Sequence, residues 1–426
     1  MKRTITITPA RLSGDIGIMP SKSVSHRAAV CAALAGGGEV RGIGHSLDIQ
    51  ATCGALNSLG LRCEFSGSFL RAAGARQARA QSRVVECGES GSTLRLLLPL
   101  ALDGIPTKFT GKGRLMERPM KPYEDMFTGR GIEFERAPDC IKVLGKLESG
   151  VFFLPGDVSS QFISGLLFAL PRLNGPSSVI LTSPLESRSY VVLTIRMLAA
   201  FGIEIRGVVK NGRECFEIPG GQAYRPSRVS VEGDYSHAAF WSVAGAIGGG
   251  ALLRGLDKNS AQGDAAIIDI LRKMNADIEW QGGELCVRPS RLRGAKIDIS
   301  QTPDIFPALA VAAAAAEGDT ELCGGSRLRI KESDRLSAMA RELAALGADI
   351  RETADALYIK GRGRLSGGSV SAHADHRIAM SLAVAASICE KAVIIDDAEC
   401  VRKSAPDFWR EYSVMGGVFR LSDEVR

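Results

Sequence analysis

Apolar and polar positions along this chain follow two alternating periods. Stretches with apolar residues at helical spacing end on a turn residue, and a short run of strict alternation follows. LNSLGLRCEF, MFTGRGIEFE, LAAFGIEIR, LRKMNADIEW, LAALGADIRE and SVMGGVFRL all have this form. Their turn residues, Gly60, Gly131, Gly202, Ala276, Gly347 and Gly417, lie 71, 71, 74, 71 and 70 residues apart. A second set is independent of the first: apolar helices that open on Ser, Thr or Asp and close on Gly36, Gly104, Gly175, Gly248 and Gly318, spaced 68, 71, 73 and 70 residues. Polar N-caps and C-terminal glycines are the expected helix boundaries. Two interleaved markers with one period define an internal repeat.

Each copy reads as β-α-β-α-β-β. The first helix is apolar nearly all round and belongs inside; the second has a polar face and belongs outside. The fold class is therefore α/β (α+β), with six copies grouped three and three. One domain is continuous, residues 20–231; the other is discontinuous, residues 1–19 plus 232–426, with crossings at Met19-Pro20 and Val231-Glu232-Gly233 acting as the hinge. The last copy, ending in VFRLSDEVR, lacks its final strands, and TITITP and DIGIMP near the N-terminus are expected to supply them.

Composition narrows the class. The chain has 426 residues, 45% apolar and 23% charged, as ordinary globular proteins do. Its longest apolar run, Ala308 to Ala316, is nine residues, under half of the roughly 20 that span a bilayer. The N-terminal alternation lacks the apolar core of a signal peptide, so the expected location is cytoplasmic. Ten cysteines without a C-x-x-C pair read as reduced and buried, not as a zinc site. The net charge of +6 shows no basic tail of the kind that binds nucleic acid.

The placement of charge says more than its sum. Unusual polar residues gather at the start of the inner helices: Ser21-Lys22-Ser23 with Arg27, Glu89-Ser90-Gly91-Ser92 with Arg95, Ser159-Ser160-Gln161, Asp304, and Asp375-His376-Arg377. They gather again before the outer helices: Arg114 and Arg118, Ser187-Arg188-Ser189-Tyr190, Arg327 to Arg335, and Arg402-Lys403. Helix N-termini favour anions, and Arg binds carboxylate or phosphate with a two-pronged fork. The pattern fits a small, multiply anionic ligand. Within it, Asp304 and Glu332 are a candidate acid/base pair; the structural alternative makes Asp304 a helix cap and Glu332 a salt-bridge partner. His373 and His376 have metal-ligand spacing but no further Cys or carboxylate cluster, and His376 beside Arg377 reads as an anion contact. No metal is expected. P-loop, dinucleotide-binding and serine-hydrolase motifs are absent.

PSKSVSHR (20–27), GESGSTLR (88–95), GRLMERPM (113–120), VSSQF (158–162), SRSY (187–190), TPD (302–304), RIKESDRL (329–336), ADHRIAM (374–380) and RKSAPDF (402–408) resemble, in order and over the full length, the 5-enolpyruvylshikimate-3-phosphate (EPSP) synthase family. The resemblance implies an inside-out α/β barrel of the enolpyruvyl-transferase type, with the active site in the interdomain cleft. It implies enolpyruvyl transfer from phosphoenolpyruvate to the 5-hydroxyl of shikimate 3-phosphate, a transferase step of the shikimate pathway toward chorismate and aromatic amino acids. Lys22, Gly91, Arg114, Gln161, Arg335, Arg377 and Lys403 would hold phosphoenolpyruvate. Shikimate 3-phosphate would be held by Lys22, Ser23, Arg27, Ser159, Ser160, Gln161, Ser187, Tyr190, Asp304 and Lys331. Asp304 and Glu332 would move protons, with Lys22 and His376 nearby. No cofactor, nucleic-acid or membrane partner is implied, and the expected state is a monomer.

Glu89, Ser92 and Arg327 depart from the family's commoner residues; Glu89 either forms a buried pair with Arg95 or weakens anion binding locally. The rivals are a UDP-N-acetylglucosamine enolpyruvyl transferase, which would carry a Cys in the loop here reading GRLMERPM, and a non-catalytic anion- or RNA-binding protein.

Overall fold

A computed structural model describes residues 3–73 and 81–423. Among these residues the strands form six four-stranded sheets, all ordered leading, second, fourth, third. In one copy Val151–Leu154 runs parallel to Ser177–Leu181, which pairs antiparallel with Arg213–Ile218, itself antiparallel to Arg206–Lys210. A parallel pair needs a crossover connection, and the inner helix, here Ser160–Ala169, provides it. Outer helices such as Arg188–Ala200 then precede the final hairpin.

Pro20–Val231 forms one compact unit, and Met1–Met19 with Glu232–Arg426 forms another. Each has its own apolar core. In the discontinuous unit the inner helices Tyr235–Ile247, Phe306–Ala315 and His376–Ala385 pack together, and Phe306–Ala315 is buried from Phe306 to Ala314. In the continuous unit Gly91–Leu97 meets Ser160–Ala169 so closely that a Cβ at Gly165 would collide with the Arg95 carbonyl and the Tyr123 hydroxyl. Tyr123, from the outer helix Lys121–Thr128, donates to the carbonyls of both Arg95 (2.9 Å) and Phe162 (2.8 Å), tying two inner helices together.

The N-terminal strands serve two different copies. Arg3–Thr8 takes the fourth-strand place of the last sheet, between Val393–Ile395 and Val418–Asp423. Gly14–Gly17, expected in the same sheet, instead pairs in parallel with Ala251–Arg254. The reason is occupancy. The last copy already has a leading strand, Gly368–Val370, whereas the fourth copy enters its inner helix directly from the crossing. The first copy has the same gap, filled by Ser227–Ser230 beside Gly38–Arg41.

The 71-residue period resides in one turn. Just after each outer helix an N–H reaches back five residues: Leu61 to Leu56, Ile132 to Phe127, Ile203 to Leu198, Ala276 to Leu271, Ala348 to Leu343 and Gly417 to Tyr412. These are Schellman turns, whose preceding residue must be left-handed. That residue is Gly60, Gly131, Gly202, Asn275, Gly347 and Gly416, with φ between 70° and 99°. In the fourth and sixth copies it thus precedes the expected Ala276 and Gly417 by one position. A side-chain Cβ penalises this conformation, and Asn tolerates it better than Ala. At Gly131 a Cβ would meet nothing within 4 Å. Gly131→Ala should therefore lower the unfolding free energy by about 1 kcal/mol, a conformational cost without steric clash, measurable by urea denaturation.

All ten cysteines are free; Cys286, Cys323 and Cys400 are half-buried and the rest buried. Among the described residues no helix is long and apolar enough to cross a membrane.

Candidate active site

Five inner helices start on a side-chain cap. Ser21, Ser90, Ser159, Asp234 and Asp375 accept from the backbone N–H of Val24, Thr93, Gln161, His237 and Arg377 respectively. Phe306–Ala315 differs: its cap position is Ile305, with no side-chain bond. Asp304 is thereby released from capping, and its carboxylate turns to cations. It lies 3.0 Å from Arg335 NH1, 3.3 Å from Arg377 NH2 and 3.8 Å from Lys331 Nζ.

Arg335 is the hub of this cluster. It opens the outer helix Arg335–Ala345 and is 1% exposed. Its Nε donates to Asp375 Oδ2 at 2.8 Å, NH1 to Asp304 and NH2 to Glu332 Oε2 at 2.9 Å. Lys403 Nζ stands 4.0 Å from Glu332 Oε1. Arg377 NH1 also donates to the Asp304 carbonyl at 3.0 Å. The His376 ring, 1% exposed, has Nδ1 3.6 Å from Asp375 Oδ1. The cluster contains both expected carboxylates with Lys331, Arg335, Arg377, His376 and Lys403. His373 faces elsewhere, with Nε2 2.7 Å from Glu342.

The electrostatics follow from burial and these pairings. Burial alone would raise the Asp304 pKa, but Arg377, Lys331 and Arg335 outweigh it and hold the carboxyl well below the usual range. Burial opposes the charge of Arg335, yet Asp375, Glu332 and Asp304 raise its pKa above the ordinary arginine value. Lys331 is lowered to about 8, chiefly by burial and against the pull of Asp304. Asp264 was not anticipated. Burial, then the Asp304 charge, push its pKa up to about 7; one oxygen accepts from Ser236 and Oδ1 has no hydrogen-bond partner among the described residues.

This sets a pH dependence. An unfolded aspartate ionises near 3.8, so the native state retains the Asp264 proton over a range where the unfolded chain has lost it. The associated stability is fully present below pH ~4 and is lost as pH rises through ~7. Asp264→Asn, which mimics the protonated form, should flatten this slope and raise stability at pH 8 by on the order of 3 kcal/mol. Denaturant titrations of both proteins at pH 5.5 and 8 would measure it.

In the continuous unit Lys22 Nζ pairs with Asp48 Oδ2 at 3.0 Å. Arg27 is 3% exposed, and burial lowers its pKa to about 10. Its Nε donates to Thr194 Oγ1 (2.8 Å), NH1 to the Ser23 carbonyl (2.8 Å) and NH2 to the Tyr190 carbonyl (3.0 Å). That network brings Ser23, Arg27 and Tyr190 together. Gln161 accepts from Arg95 at 2.9 Å and donates to Ser92 Oγ at 3.0 Å, adjoining Ser159 and Ser160. A Cβ at Gly91 would lie 2.5 Å from Arg118 NH1 and 3.5 Å from Arg95 NH1, so bare backbone meets two guanidinium groups there. Arg114 is exposed, 3.2 Å from Glu117. Glu89 is also exposed. Arg327 NH2 donates to the Ser300 carbonyl.

Backbone strain marks the same segments. Among the described residues, Ser187, His373, Ala374 and Asp397 are left-handed without being turn asparagines or glycines. They precede Arg188–Ala200, Asp375–Arg377 and the 3-10 helix Ala398–Lys403. Such strain persists where surrounding structure enforces it, often at functional positions. Asp48, Thr194 and Asp264 were missed as site residues, and Asp375 was singled out without a role of its own. Asp264 occupies the loop before an outer helix, the repeat position that also carries Arg114 and Ser187, and that equivalence was the available signal.

The family model described as EPSP synthase (3-phosphoshikimate 1-carboxyvinyltransferase) matches residues 7–412. The chain belongs to this family. It is 45% identical over 417 residues to the 3-phosphoshikimate 1-carboxyvinyltransferase of Clostridium kluyveri, covering 97% of each chain. The Clostridium perfringens protein of the same name is 44% identical, with 99% of this chain and 100% of that one covered. Among solved structures, EPSP synthase from Acinetobacter baumannii superposes with a TM-score of 0.81 at 29% identity, covering 99% and 100% of the two chains. The enolpyruvyl transferase NikO of Streptomyces tendae also gives 0.81, at 17% identity and 99% coverage of both, and so shares the fold.

Proposed function

We infer that this EPSP-synthase family member transfers the enolpyruvyl group of phosphoenolpyruvate to the 5-hydroxyl of shikimate 3-phosphate and releases phosphate. The observation that carries this reading is the family match across nearly the whole chain. The release of Asp304 from capping, beside Glu332 on a shared arginine, supports the chemistry.

In the proposed assignment, Ser23, Arg27, Ser159, Ser160, Ser187, Tyr190 and Lys331 hold shikimate 3-phosphate, with Lys22, Gln161 and Asp304 touching both substrates' reacting region. Gly91, Arg114, Arg335, Arg377 and Lys403 address the phosphate and carboxylate of phosphoenolpyruvate. Asp304 takes the 5-hydroxyl proton as the oxygen attacks, while Glu332 gives a proton to the methylene carbon. The product is a tetrahedral ketal. Return of a proton from that methyl carbon to Glu332 and of one from Asp304 to the departing phosphate regenerates the enol ether.

Asp304 in the unliganded protein is held ionised by three cations. That field makes it ready to receive a proton but weakly basic. Anionic substrates share those cations, so binding raises the basicity of Asp304 when it is needed. Fixed charges aimed at developing charge stabilise the transition state without reorganisation. Joining two bound substrates adds an entropic advantage of about 7–11 kcal/mol.

Purified protein in chelator-containing buffer should release inorganic phosphate only when both substrates are present. No phosphate release with both would overturn the assignment.

A further inference from the structure

The discontinuous unit carries a second basic feature, at the far ends of the helices whose N-termini hold the cluster around Arg335. An Arg-Leu pair recurs ahead of each of its three leading strands: Arg11-Leu12 before Gly14–Gly17, Arg291-Leu292 before Lys296–Asp298, and Arg364-Leu365 before Gly368–Val370. The structure repeats the motif faithfully. Each leucine is at most 3% exposed. Each leucine carbonyl accepts an N–H from just beyond an inner helix: Gly249 at 2.7 Å, Glu317 at 2.9 Å and Glu390 at 2.8 Å.

With the leucines locked, the arginines line one cavity of about 570 Å³, together with Ser290, Ser387 and Cys389. Among the described residues no acidic side chain lines it. The three arginines are exposed, and no ion pair engages any of them among the described residues. Two inner helices end at this cavity, at Ala246–Gly248 and Ser387–Cys389. Each helix end contributes roughly half a negative charge, so three full positive charges remain in clear excess. The helix His376–Ala385, capped by Asp375 of that cluster, runs on through the 3-10 turn Ala386–Ile388 to the cavity, which puts its far end about 20 Å from its N-cap. The cavity is therefore separate from the Asp304 cluster.

We propose that this cavity binds a small molecule bearing two or more phosphoryl groups. The volume lies within the 300–1,000 Å³ typical of small-ligand sites. Three arginines lining one cavity without carboxylate partners can address several phosphoryl oxygens at once. Were the arginines only counter-charges for helix ends, each would act alone, and no shared ligand would be bound.

Inorganic tripolyphosphate is the probe, titrated calorimetrically into the intact protein at low ionic strength with phosphoenolpyruvate and shikimate 3-phosphate analogues saturating the catalytic residues. The wild type should bind one tripolyphosphate at least tenfold more tightly than orthophosphate. R11Q/R291Q/R364Q should lose at least tenfold of that affinity while kcat and KM stay unchanged. If the triple variant does not fold, each single Arg→Gln variant should weaken binding about threefold. Absence of tripolyphosphate binding, equal affinity for orthophosphate, or unchanged affinity in the variants would overturn the proposal.

Discussion

Glu332→Gln should lower kcat by roughly 10²–10⁴ while leaving the fold intact. Glutamine keeps an oxygen to accept from Arg335 NH2, the 2.9 Å bond seen here, but it cannot deliver a proton to carbon. The loss should fall on kcat more than on KM, because the proton moves in the transition state and substrate charge is met by other groups. If the variant keeps its rate and merely melts earlier, Glu332 is a salt-bridge residue. Lys403, 4.0 Å from the other carboxylate oxygen, offers a control: Lys403→Met removes charge near Glu332 without removing its proton.

The second large effect concerns stability. Asp375 is fully buried and does three things at once: it pairs with Arg335, accepts from Ser333 and caps the helix His376–Ala385. Removing one partner of a buried ion pair typically costs about 3–5 kcal/mol, and loss of a cap alone about 0.5–2 kcal/mol. Asp375→Ala should therefore lower the unfolding free energy by about 3–5 kcal/mol in denaturant titration. Asp375→Asn, which still accepts from the Arg377 N–H, should fall between it and the wild type. Equal stability of both variants with the wild type would mean that Asp304 and Glu332 suffice for Arg335.

These two aspartates show where sequence reading succeeded and stopped. Asp304 and Asp375 both stand just ahead of an apolar helix, where a cap is the structural alternative to a place in the site. The structure separates them: the helix after Asp304 starts at Phe306 with Ile305 in the cap position, one residue later than a cap at Asp304 would set it. The six-fold period was legible because a Schellman turn needs a left-handed residue, and glycine is conspicuous. It blurred at Asn275, where a non-glycine fills that role. Strand placement was legible within a copy; between copies it held for Arg3–Thr8 and failed for Gly14–Gly17. Nothing local in GDIG tells it to seek Ala251–Arg254, since pairing at that distance depends on which edge is left open. Asp264 stayed hidden for a similar reason, as its perturbation comes from burial and from Asp304, forty residues on.

The shared use of the N-terminal segment also sets an order of events during synthesis. Pro20–Val231 contains every strand of its three sheets and can complete them once residue 231 has emerged. Arg3–Thr8 leaves the ribosome long before both its neighbours, Val393–Ile395 and Val418–Asp423. At typical elongation rates that strand waits about 20–80 s with both edges unpaired. Its threonines alternate with isoleucines, and Arg3 stands at its start. Unpaired edges of this kind invite intermolecular pairing, so aggregation of newly made chains should depend on this segment far more than on any strand of the early-finished unit.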